Sequence, residues 1–213
     1  VHQKAAVLYR KQARFQLIST GKISQKNLLF ENQHIERLRK ASRYFAYPFD
    51  LEDLRQKIAE ECQACDANQD YRLRISLSKS GEIEVSRQAL TPLSTSFCQA
   101  QFCLQEADLQ QAFTYFKTSY RPHLNLGGQE KIYHNKSGEL LETSIGNLIL
   151  KIAGKLYTPP IRLGILPGIY RQYLLETGQV EEKVLTLKDL AQAEAIYGCN
   201  AARGLYELSL EEN

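Results

Sequence analysis

The sequence predicts an α+β protein that is built in two lobes. Hairpin signals and isolated amphipathic helices follow one another in mixed order, without the regular strand–helix alternation that is typical of a parallel sheet. No internal repeat is evident, and 213 residues suffice for one large domain or two small ones. Residues 90–101 contain Pro92 and many Ser and Thr residues, so we interpret this stretch as the connection between the lobes. We therefore expect an N-terminal α+β lobe over residues 1–95 and a C-terminal lobe over residues 104–213.

The elements of the N-terminal lobe are predicted from the spacing of its apolar residues. Residues 32–45 carry apolar side chains at helical intervals, with Asn32 as the predicted N-cap and Pro48 as the stop. Asp50 is expected to cap a second helix, and residues 71–77 alternate apolar and polar side chains as a half-buried strand does. Further strands are predicted over 5–9, 15–20 and 82–86.

The C-terminal lobe shows hairpin signals and short helices. A hairpin over 148–158 is predicted to turn at Ala153 and Gly154. Thr186 is predicted to cap a last helix that runs through Tyr197. The remaining predicted elements are a weak helix over 107–116, a strand over 131–134, a turn over 135–138, and a helix over 169–177 that Gly178 ends.

The composition excludes several classes of function. The chain is 43% hydrophobic, and its net charge of +3 arises from 27 basic and 24 acidic residues that are interleaved, so nucleic acid is not the expected partner. The longest apolar runs stop well short of the ~18 residues that a membrane-spanning helix needs, so no membrane association is expected. The first residues show neither a signal-peptide pattern nor a transit-peptide pattern.

The cysteines favour a reducing compartment. Five cysteines at irregular spacing argue against a disulfide framework, and together with the N-terminal pattern they predict a cytoplasmic protein. Cys62 and Cys65 have the C-x-x-C spacing of metal and redox sites. They fall on a predicted helix, however, and lack a second ligand pair. We expect them to be core or surface cysteines, and we expect no bound metal.

Four separated motifs contain the residues that are best suited to chemistry. Residues 142–147 (Glu-Thr-Ser-Ile-Gly-Asn) follow a turn and precede a strand, and a Pro-Gly turn in residues 166–171 opens a helix whose first N–H groups can cradle a phosphate. Arg37 lies in the helical motif 34–38 and can bind a phosphate through two parallel hydrogen bonds. Lys117 follows apolar and aromatic residues; desolvation lowers the pKa of a lysine and makes it a nucleophile or Schiff-base former.

Each motif alone is also compatible with an ordinary structural role. Arg37 alone would be a surface ion-pair partner, Lys117 and Glu142 would be solvated charges, and the Pro-Gly turn would only start a helix. The joint order of the motifs is much more specific than any one of them. That order, with Thr158–Pro159 and a loop over 198–204, resembles the class IV aminotransferase family, the fold-type-IV pyridoxal-phosphate enzymes, over nearly the whole chain.

The resemblance implies a fold, a cofactor and an assembly. It implies the two-lobed fold of D-amino acid aminotransferase, with a smaller N-terminal lobe, a C-terminal pseudo-barrel lobe that carries Lys117 and most cofactor contacts, and a homodimer. The implied cofactor is pyridoxal 5′-phosphate. Lys117 would hold it through a Schiff base and act as the catalytic residue, and Glu142 would pair with its ring nitrogen. The other residues implied to bind the cofactor are Arg37, Asn147, Gly168, Ile169, Tyr170, Asn200 and Ala201.

Within the family, the details resemble the lyase branch. The loop 198–204 contains Cys-Asn-x-x-Arg-Gly, which is closer to the lyases than to the Gly-Thr loop of branched-chain aminotransferases. The implied reaction converts 4-amino-4-deoxychorismate to 4-aminobenzoate and pyruvate in folate biosynthesis, with a functional link to aminodeoxychorismate synthase. This substrate carries two carboxylates, so Arg72, Arg74 and Arg203 are candidate contacts. Tyr120 is a further candidate and the nearest match to a tyrosine that follows the lysine in the family.

Two of the departures from the family pattern concern the expected phosphate site. Tyr170 stands where the aminotransferases usually have threonine, and Ala201 stands where a hydroxyl residue is common, so backbone N–H groups are expected to bind more of the phosphate. Two other functions stay open from the sequence. One is an aminotransferase of branched-chain or D-amino acids, which shares every cofactor contact. The other is a non-catalytic homologue that keeps only the fold.

Overall fold

The computed structural model describes residues 15–105, 112–124 and 127–211. The chain forms two compact units, which confirms the predicted α+β class in two lobes. The first unit contains the described residues up to Thr91 and the segment Phe116–Tyr120, and the second contains the other described residues. Residues 92–95, expected in the first lobe, thus group with the second. The predicted strand over 5–9 lies outside the described residues.

The first unit is an antiparallel sheet with helices packed against it. Its elements are β1 (Leu17–Ser24), β2 (Asn27–Leu28), α1 (Glu31–Phe45), α2 (Leu51–Gln63), β3 (Tyr71–Leu77) and β4 (Ile83–Ala89). Among the described residues the strand order is β2-β1-β3-β4, and α1 contacts β1 while α2 contacts β4. The predicted alternation on β3 is confirmed, because Leu73, Ile75 and Leu77 are buried and Arg72 is exposed.

The two helices of the first unit begin in different ways. Asp50 caps α2 as predicted, since its Oδ1 accepts hydrogen bonds from the N–H groups of Glu52 at 2.9 Å and Asp53 at 3.1 Å. The predicted cap of α1 is wrong, because Asn32 lies inside the first turn. The cap position is Phe30, which enters the helix from a left-handed backbone conformation. The start of α1 is therefore determined by the chain reversal after β2. No side-chain hydrogen bond caps this helix.

The resemblance implied that Lys117 belongs to the C-terminal lobe. The structure places it in the first unit instead. The Ile18 N–H donates to the Lys117 carbonyl at 2.8 Å, and the Ser119 N–H donates to the Gln16 carbonyl at 2.9 Å. These backbone bonds attach Phe116–Tyr120 to the strand β1 of the first unit. Pairing between segments so far apart in the chain is not encoded in local sequence patterns.

The second unit contains a sheet that closes on itself. Its strands are β5 (Gln99–Leu104), β6 (Lys131–His134), β7 (Leu140–Thr143), β8 (Asn147–Ile152), β9 (Lys155–Thr158), β10 (Glu181–Glu182), β11 (Ala195–Asn200) and β12 (Gly204–Leu210). Its helices are α3 (Thr95–Cys98), α4 (Ala112–Tyr115), α5 (Ile169–Glu176) and α6 (Leu187–Ala191), with a 3₁₀ turn at Ile161–Leu163. In the described chain the strand order is β10-β9-β8-β11-β12-β5-β6-β7, and β7 also pairs with β8. The six strands from β8 to β7 thus form a closed ring, which confirms the pseudo-barrel.

The strands of this ring and α6 share one apolar core. The buried residues of the core are Ala100, Ile132, Leu140, Leu148, Leu150, Leu185, Leu190, Ile196 and Leu208.

No helix among the described residues has the length and apolar character needed to cross a membrane.

Two predictions for the second unit are corrected by the structure. Thr186 caps α6 as predicted, through a capping box with Asp189, but the helix ends at Ala191 and Tyr197 lies in β11. β11 pairs with β8 on one side and β12 on the other, and this pairing outweighs the local helical spacing. The stretch 90–101, predicted as a connection, contains α3 and the start of β5.

Candidate functional site

The first unit brings Arg37 and Lys117 together around a buried histidine. His34 on α1 is fully buried, and its Nδ1 lies 2.7 Å from Ser19 Oγ on β1. Burial, followed by the charges of Arg37 and Lys117, lowers the pKa of His34 to about 3. His34 is therefore neutral at neutral pH. Because both cations act on this one ring, the two predicted residues lie in the same neighbourhood.

Gly21 on β1 explains how closely α1 approaches the sheet. A Cβ at this position would stand 2.5 Å from His34 Nε2 and 2.8 Å from Leu28 Cδ1, closer than side chains pack. The absence of a side chain at Gly21 thus lets His34, one helical turn before Arg37, pack directly on the strand.

The predicted substrate contacts are split between the units. Arg72 and Arg74 lie on the face of β3 opposite its buried leucine and isoleucine side chains, with Arg72 exposed and Arg74 half-buried. Tyr120 is exposed and belongs, like these arginines, to the unit that contains Lys117. Arg203 lies in the second unit. Their role as substrate contacts stays a prediction.

The spacing of Glu142 and Asn147 is explained by a tight hairpin. The two residues stand opposite each other as the cross-strand pair that joins β7 to β8, at the point where the barrel closes. Thr143 fixes the turn between them: its N–H donates to the Gly146 carbonyl at 2.9 Å, and its Oγ1 accepts from the Gly146 N–H at 3.1 Å. Directly opposite residues of an antiparallel pair share a face, so both buried side chains point the same way.

Glu142 and Asn147 hold the chain segment that leads into α5. Asn147 Nδ2 donates to the Leu166 carbonyl at 2.8 Å, and the Leu166 N–H donates to Glu142 Oε2 at 3.4 Å. Any side chain at Gly168 would collide with the side-chain oxygen of Asn147. This close approach is the physical reason for a glycine directly before the helix, and it fixes the helix start to the barrel closure.

The Thr-Pro dipeptide and the arginine of the L-x-G-I-x-R motif anchor α5 from a second side. Thr158 Oγ1 donates to the Leu148 carbonyl on β8 at 2.8 Å. Arg171 Nη2 donates to the Pro159 carbonyl at 2.8 Å and pairs with Glu182. Arg171 is only 1% exposed, so its side chain is a buried structural contact that anchors α5. The motif contained it, but its spacing gave no hint of this anchoring role.

A backbone loop lies beside the start of α5. Asn200 Oδ1 accepts hydrogen bonds from the N–H groups of Ala202 at 3.0 Å and Arg203 at 2.9 Å, which makes a tight Asx turn after β11. A Cβ built on Gly204 would lie 3.4 Å from the hydroxyl of Tyr170 in the first turn of α5. The Tyr170 side chain therefore reaches from the first turn of α5 to the residue that follows this loop.

The groups of the second unit fit the cofactor that the resemblance implies. The cap of α5 at Gly168 makes no side-chain hydrogen bond, and the first N–H groups of a helix, at the positive end of its dipole, bind anions. Ala201 in the adjoining loop is buried and has no hydroxyl, which suits a phosphate held by backbone groups. The buried carboxylate of Glu142 is the partner that a protonated ring nitrogen requires.

Two residues that we did not predict stand beside Glu142. Arg121 Nη2 lies 3.6 Å from Glu142 Oε1, and His123 Nε2 lies 3.9 Å from the same atom. Both follow Lys117 closely in the sequence, where no periodicity or motif distinguishes them. Only the turn that carries them brings them to the carboxylate.

Replacing Gly168 by alanine is expected to destabilise the second unit. The new Cβ would displace the Asn147 side chain, which then loses its bond to the Leu166 carbonyl. A buried carbonyl that loses its donor costs about 1–3 kcal/mol. Urea unfolding measures this loss. Asn147→Ala removes the obstacle, so Gly168→Ala is expected to cost little in the Asn147→Ala background, and additive losses would contradict the steric argument.

The fold and the arrangement of these motifs define a class of protein. A model of the family Amino-transferase class IV matches residues 16–209. The chain therefore belongs to the class IV aminotransferase family.

Similar proteins carry two different descriptions within this family. The aminodeoxychorismate lyase of Saccharomyces cerevisiae is 24% identical over 251 residues, which span 85% of this chain and 67% of the yeast protein. An uncharacterized protein of Haemophilus influenzae is 35% identical over 79 residues, but that match covers 37% of this chain and only 41% of that protein.

Solved structures show the same division. A candidate amino-acid aminotransferase from Mesorhizobium loti is 27% identical, with a TM-score of 0.77 over 92% of this chain and 100% of that chain. A candidate 4-amino-4-deoxychorismate lyase from Haemophilus somnus is 25% identical, with a TM-score of 0.71 over 91% of this chain and 99% of that chain.

Proposed function

We propose that the protein is a pyridoxal 5′-phosphate-dependent lyase that converts 4-amino-4-deoxychorismate to 4-aminobenzoate and pyruvate. The observation that carries the cofactor assignment is the hairpin pair Glu142–Asn147, which fixes a buried carboxylate next to the chain segment that leads into α5. The lyase assignment is supported by the similarity to the yeast lyase and to the Haemophilus somnus candidate lyase, and by the Cys-Asn-x-x-Arg-Gly loop.

In this proposal each residue has a defined task. Bound pyridoxal 5′-phosphate supplies an aldehyde for imine formation and a protonated ring that withdraws electrons from the substrate carbon. Lys117 Nζ would hold the aldehyde of the cofactor, and as a free amine it would remove the proton from the carbon that bears the substrate amine. Glu142 keeps the ring nitrogen protonated. The helix start at Ile169 and the loop with Asn200 hold the phosphate, with Arg37 as a further cation.

The reaction balances without another reactant. Loss of the proton and of the neighbouring enolpyruvyl group, which leaves as pyruvate, turns the substrate ring into an aromatic ring. The residues therefore need to bind two carboxylates and move one proton. We propose Arg72, Arg74 and Arg203, with Tyr120, as the contacts to the substrate.

The proposal is tested by mixing the pure, cofactor-loaded protein with 4-amino-4-deoxychorismate. Fluorescent 4-aminobenzoate and pyruvate are expected in equal amounts, with pyruvate measured by coupled reduction to lactate. Chorismate is the matched control, because without an amino group it cannot form the imine and is expected to give no product. If 4-amino-4-deoxychorismate yields neither product, the lyase assignment is contradicted.

An aminotransferase is the second candidate, because the Mesorhizobium loti candidate aminotransferase is matched over its whole length at 27% identity. Branched-chain and D-amino acids with 2-oxoglutarate would then yield glutamate, and the aminated chorismate would yield no 4-aminobenzoate. A non-catalytic homologue would bind no cofactor and give neither product.

The predicted assembly and location belong to the same proposal. We propose a homodimer with a functional link to aminodeoxychorismate synthase, in the cytoplasm. Light scattering on the purified protein, with and without pyridoxal 5′-phosphate, measures the mass of the assembly directly.

A further inference from the structure

A buried arginine and a buried histidine stand beside Glu142 without a task in the proposed reaction. They lie on a turn that Pro122 favours, in which the Leu124 N–H donates to the Arg121 carbonyl at 3.1 Å. Leu124 is buried in an apolar cluster with Leu141, which immediately precedes Glu142 on β7. This packing holds the turn against the strand that carries the carboxylate.

The charges in this cluster are unequal. The side chains of Arg121, His123 and Glu142 are 7%, 0% and 3% exposed, so solvent screens their interactions little. Burial, followed by the charge of Arg121, lowers the pKa of His123 to about 4, and the imidazole is neutral at neutral pH. The cation that acts on Glu142 within the cluster is therefore Arg121, at 3.6 Å.

The cluster also contains buried polar atoms without a hydrogen-bond partner in the described part of the chain: two donor nitrogens of Arg121, and the donor and acceptor nitrogens of the neutral His123 ring. Arg121 Nε and Nη2 and both ring nitrogens of His123 have no hydrogen-bond partner among the residues that the structure describes. Buried polar groups are rarely left in this state. Polar atoms of this kind beside a carboxylate indicate that a polar group binds there.

We propose that Arg121 is a positioning residue of the cofactor site: its buried guanidinium holds the Glu142 carboxylate in place for a protonated ring nitrogen, and His123 fills the space beside the carboxylate. This inference rests on the proposed cofactor, but it holds for a lyase and an aminotransferase alike. A second cation at position 123 would compete with the ring for the same carboxylate. The neutral imidazole avoids this competition.

The test is the dissociation constant of pyridoxal 5′-phosphate, measured by equilibrium dialysis on the whole protein. In metal sites, removing a group that supports a ligand costs about 10- to 100-fold in affinity, and we expect Arg121→Gln to weaken binding by about tenfold or more. Arg121→Lys keeps the charge and is expected to recover most of the affinity. Arg162→Gln, at an exposed arginine of the same unit, is the matched control and is expected to bind as the wild type does.

A double-mutant cycle separates this role from a merely structural one. In the Glu142→Gln background the carboxylate charge is gone, so Arg121→Gln is expected to change the affinity by no more than about twofold, or to tighten binding. A further loss of the same size as in the wild type would overturn the proposal. If Arg121→Gln alone fails to fold, as judged by circular dichroism, the two variants that contain Glu142→Gln still decide the question.

The failure of this inference can be told from the failure of the proposed function. If the wild type binds no pyridoxal 5′-phosphate, the proposed function fails and the inference fails with it. If the wild type binds it and borohydride traps it on Lys117, but Arg121→Gln binds equally well, only the inference is overturned.

Discussion

Lys117→Ala is expected to abolish formation of 4-aminobenzoate and covalent retention of the cofactor. The substitution removes both the amine that forms the imine and the base that takes the substrate proton. The fold is expected to survive, because the backbone bonds that Ile18 and Ser119 make with residues 117 and 16 are kept when the lysine side chain is removed. Borohydride reduction followed by peptide mapping measures the covalent attachment.

Lys155→Ala is the matched control for this variant. Lys155 is exposed and makes a surface ion pair with Glu181, which is worth about 1 kcal/mol at most. The Lys155→Ala variant is expected to form 4-aminobenzoate and to be labelled on Lys117 as the wild type is. A label on another lysine in the wild type, or unchanged product formation by Lys117→Ala, would contradict the assigned role.

The free energy of unfolding is expected to fall as the pH is lowered from 6.5 to 5. Burial lowers the pKa values of His34 to about 3 and of His123 to about 4, from an ordinary value of 6.5. Below pH 6.5 these two histidines therefore bind protons in the unfolded chain but stay neutral in the folded protein. Each histidine makes the free energy of unfolding decrease with a slope that grows from about 0.7 kcal/mol per pH unit at pH 6.5 to about 1.4 kcal/mol per pH unit near pH 5.

A variant comparison isolates the contribution of one histidine. Burial raises the pKa of Glu130, which acts in the opposite direction and reduces the net slope of the wild type. His34→Asn is expected to reduce this slope by up to about 1.4 kcal/mol per pH unit near pH 5. Ser19→Ala loses the bond to His34 at every pH and is expected to lower stability while keeping the slope. Urea unfolding followed by circular dichroism suits this chain, which has no tryptophan; equal slopes for His34→Asn and wild type would disprove the assignment.

Local patterns predicted those parts of the molecule that local physics controls. The alternation at 71–77, the Asp50 cap and the turn at Gly154 each depend on neighbours in the chain, and all three are confirmed. Tyr197 was assigned to a helix because its strand is stabilised by partners on β8 and β12 that no short window contains. The same limit explains why the pairing of Lys117 with β1 could not be predicted.

The candidate site divides along the same line. Glu142 and Asn147 could be found because they belong to one short sequence motif between a turn and a strand, although the hairpin that pairs them was not predicted. The Pro-Gly turn marks the start of α5 in the sequence itself. Arg121 and His123 could not be found, because the turn that carries them meets Glu142 only in the folded protein, where Leu124 of the same turn joins an apolar cluster with Leu141. Sequence reasoning thus located the groups that a motif orders in the chain and overlooked those that tertiary packing supplies.

In the hairpin between β7 and β8, the number of loop residues matters more for the site than the identity of their side chains. A strand that slips by one residue turns every side chain to the opposite face. An insertion or deletion within residues 143–146 would therefore rotate Asn147 away from Glu142 and release Leu166, even if every side chain of the motif were retained. Exchanges of the half-buried Ile145 side chain, by contrast, leave the backbone path intact.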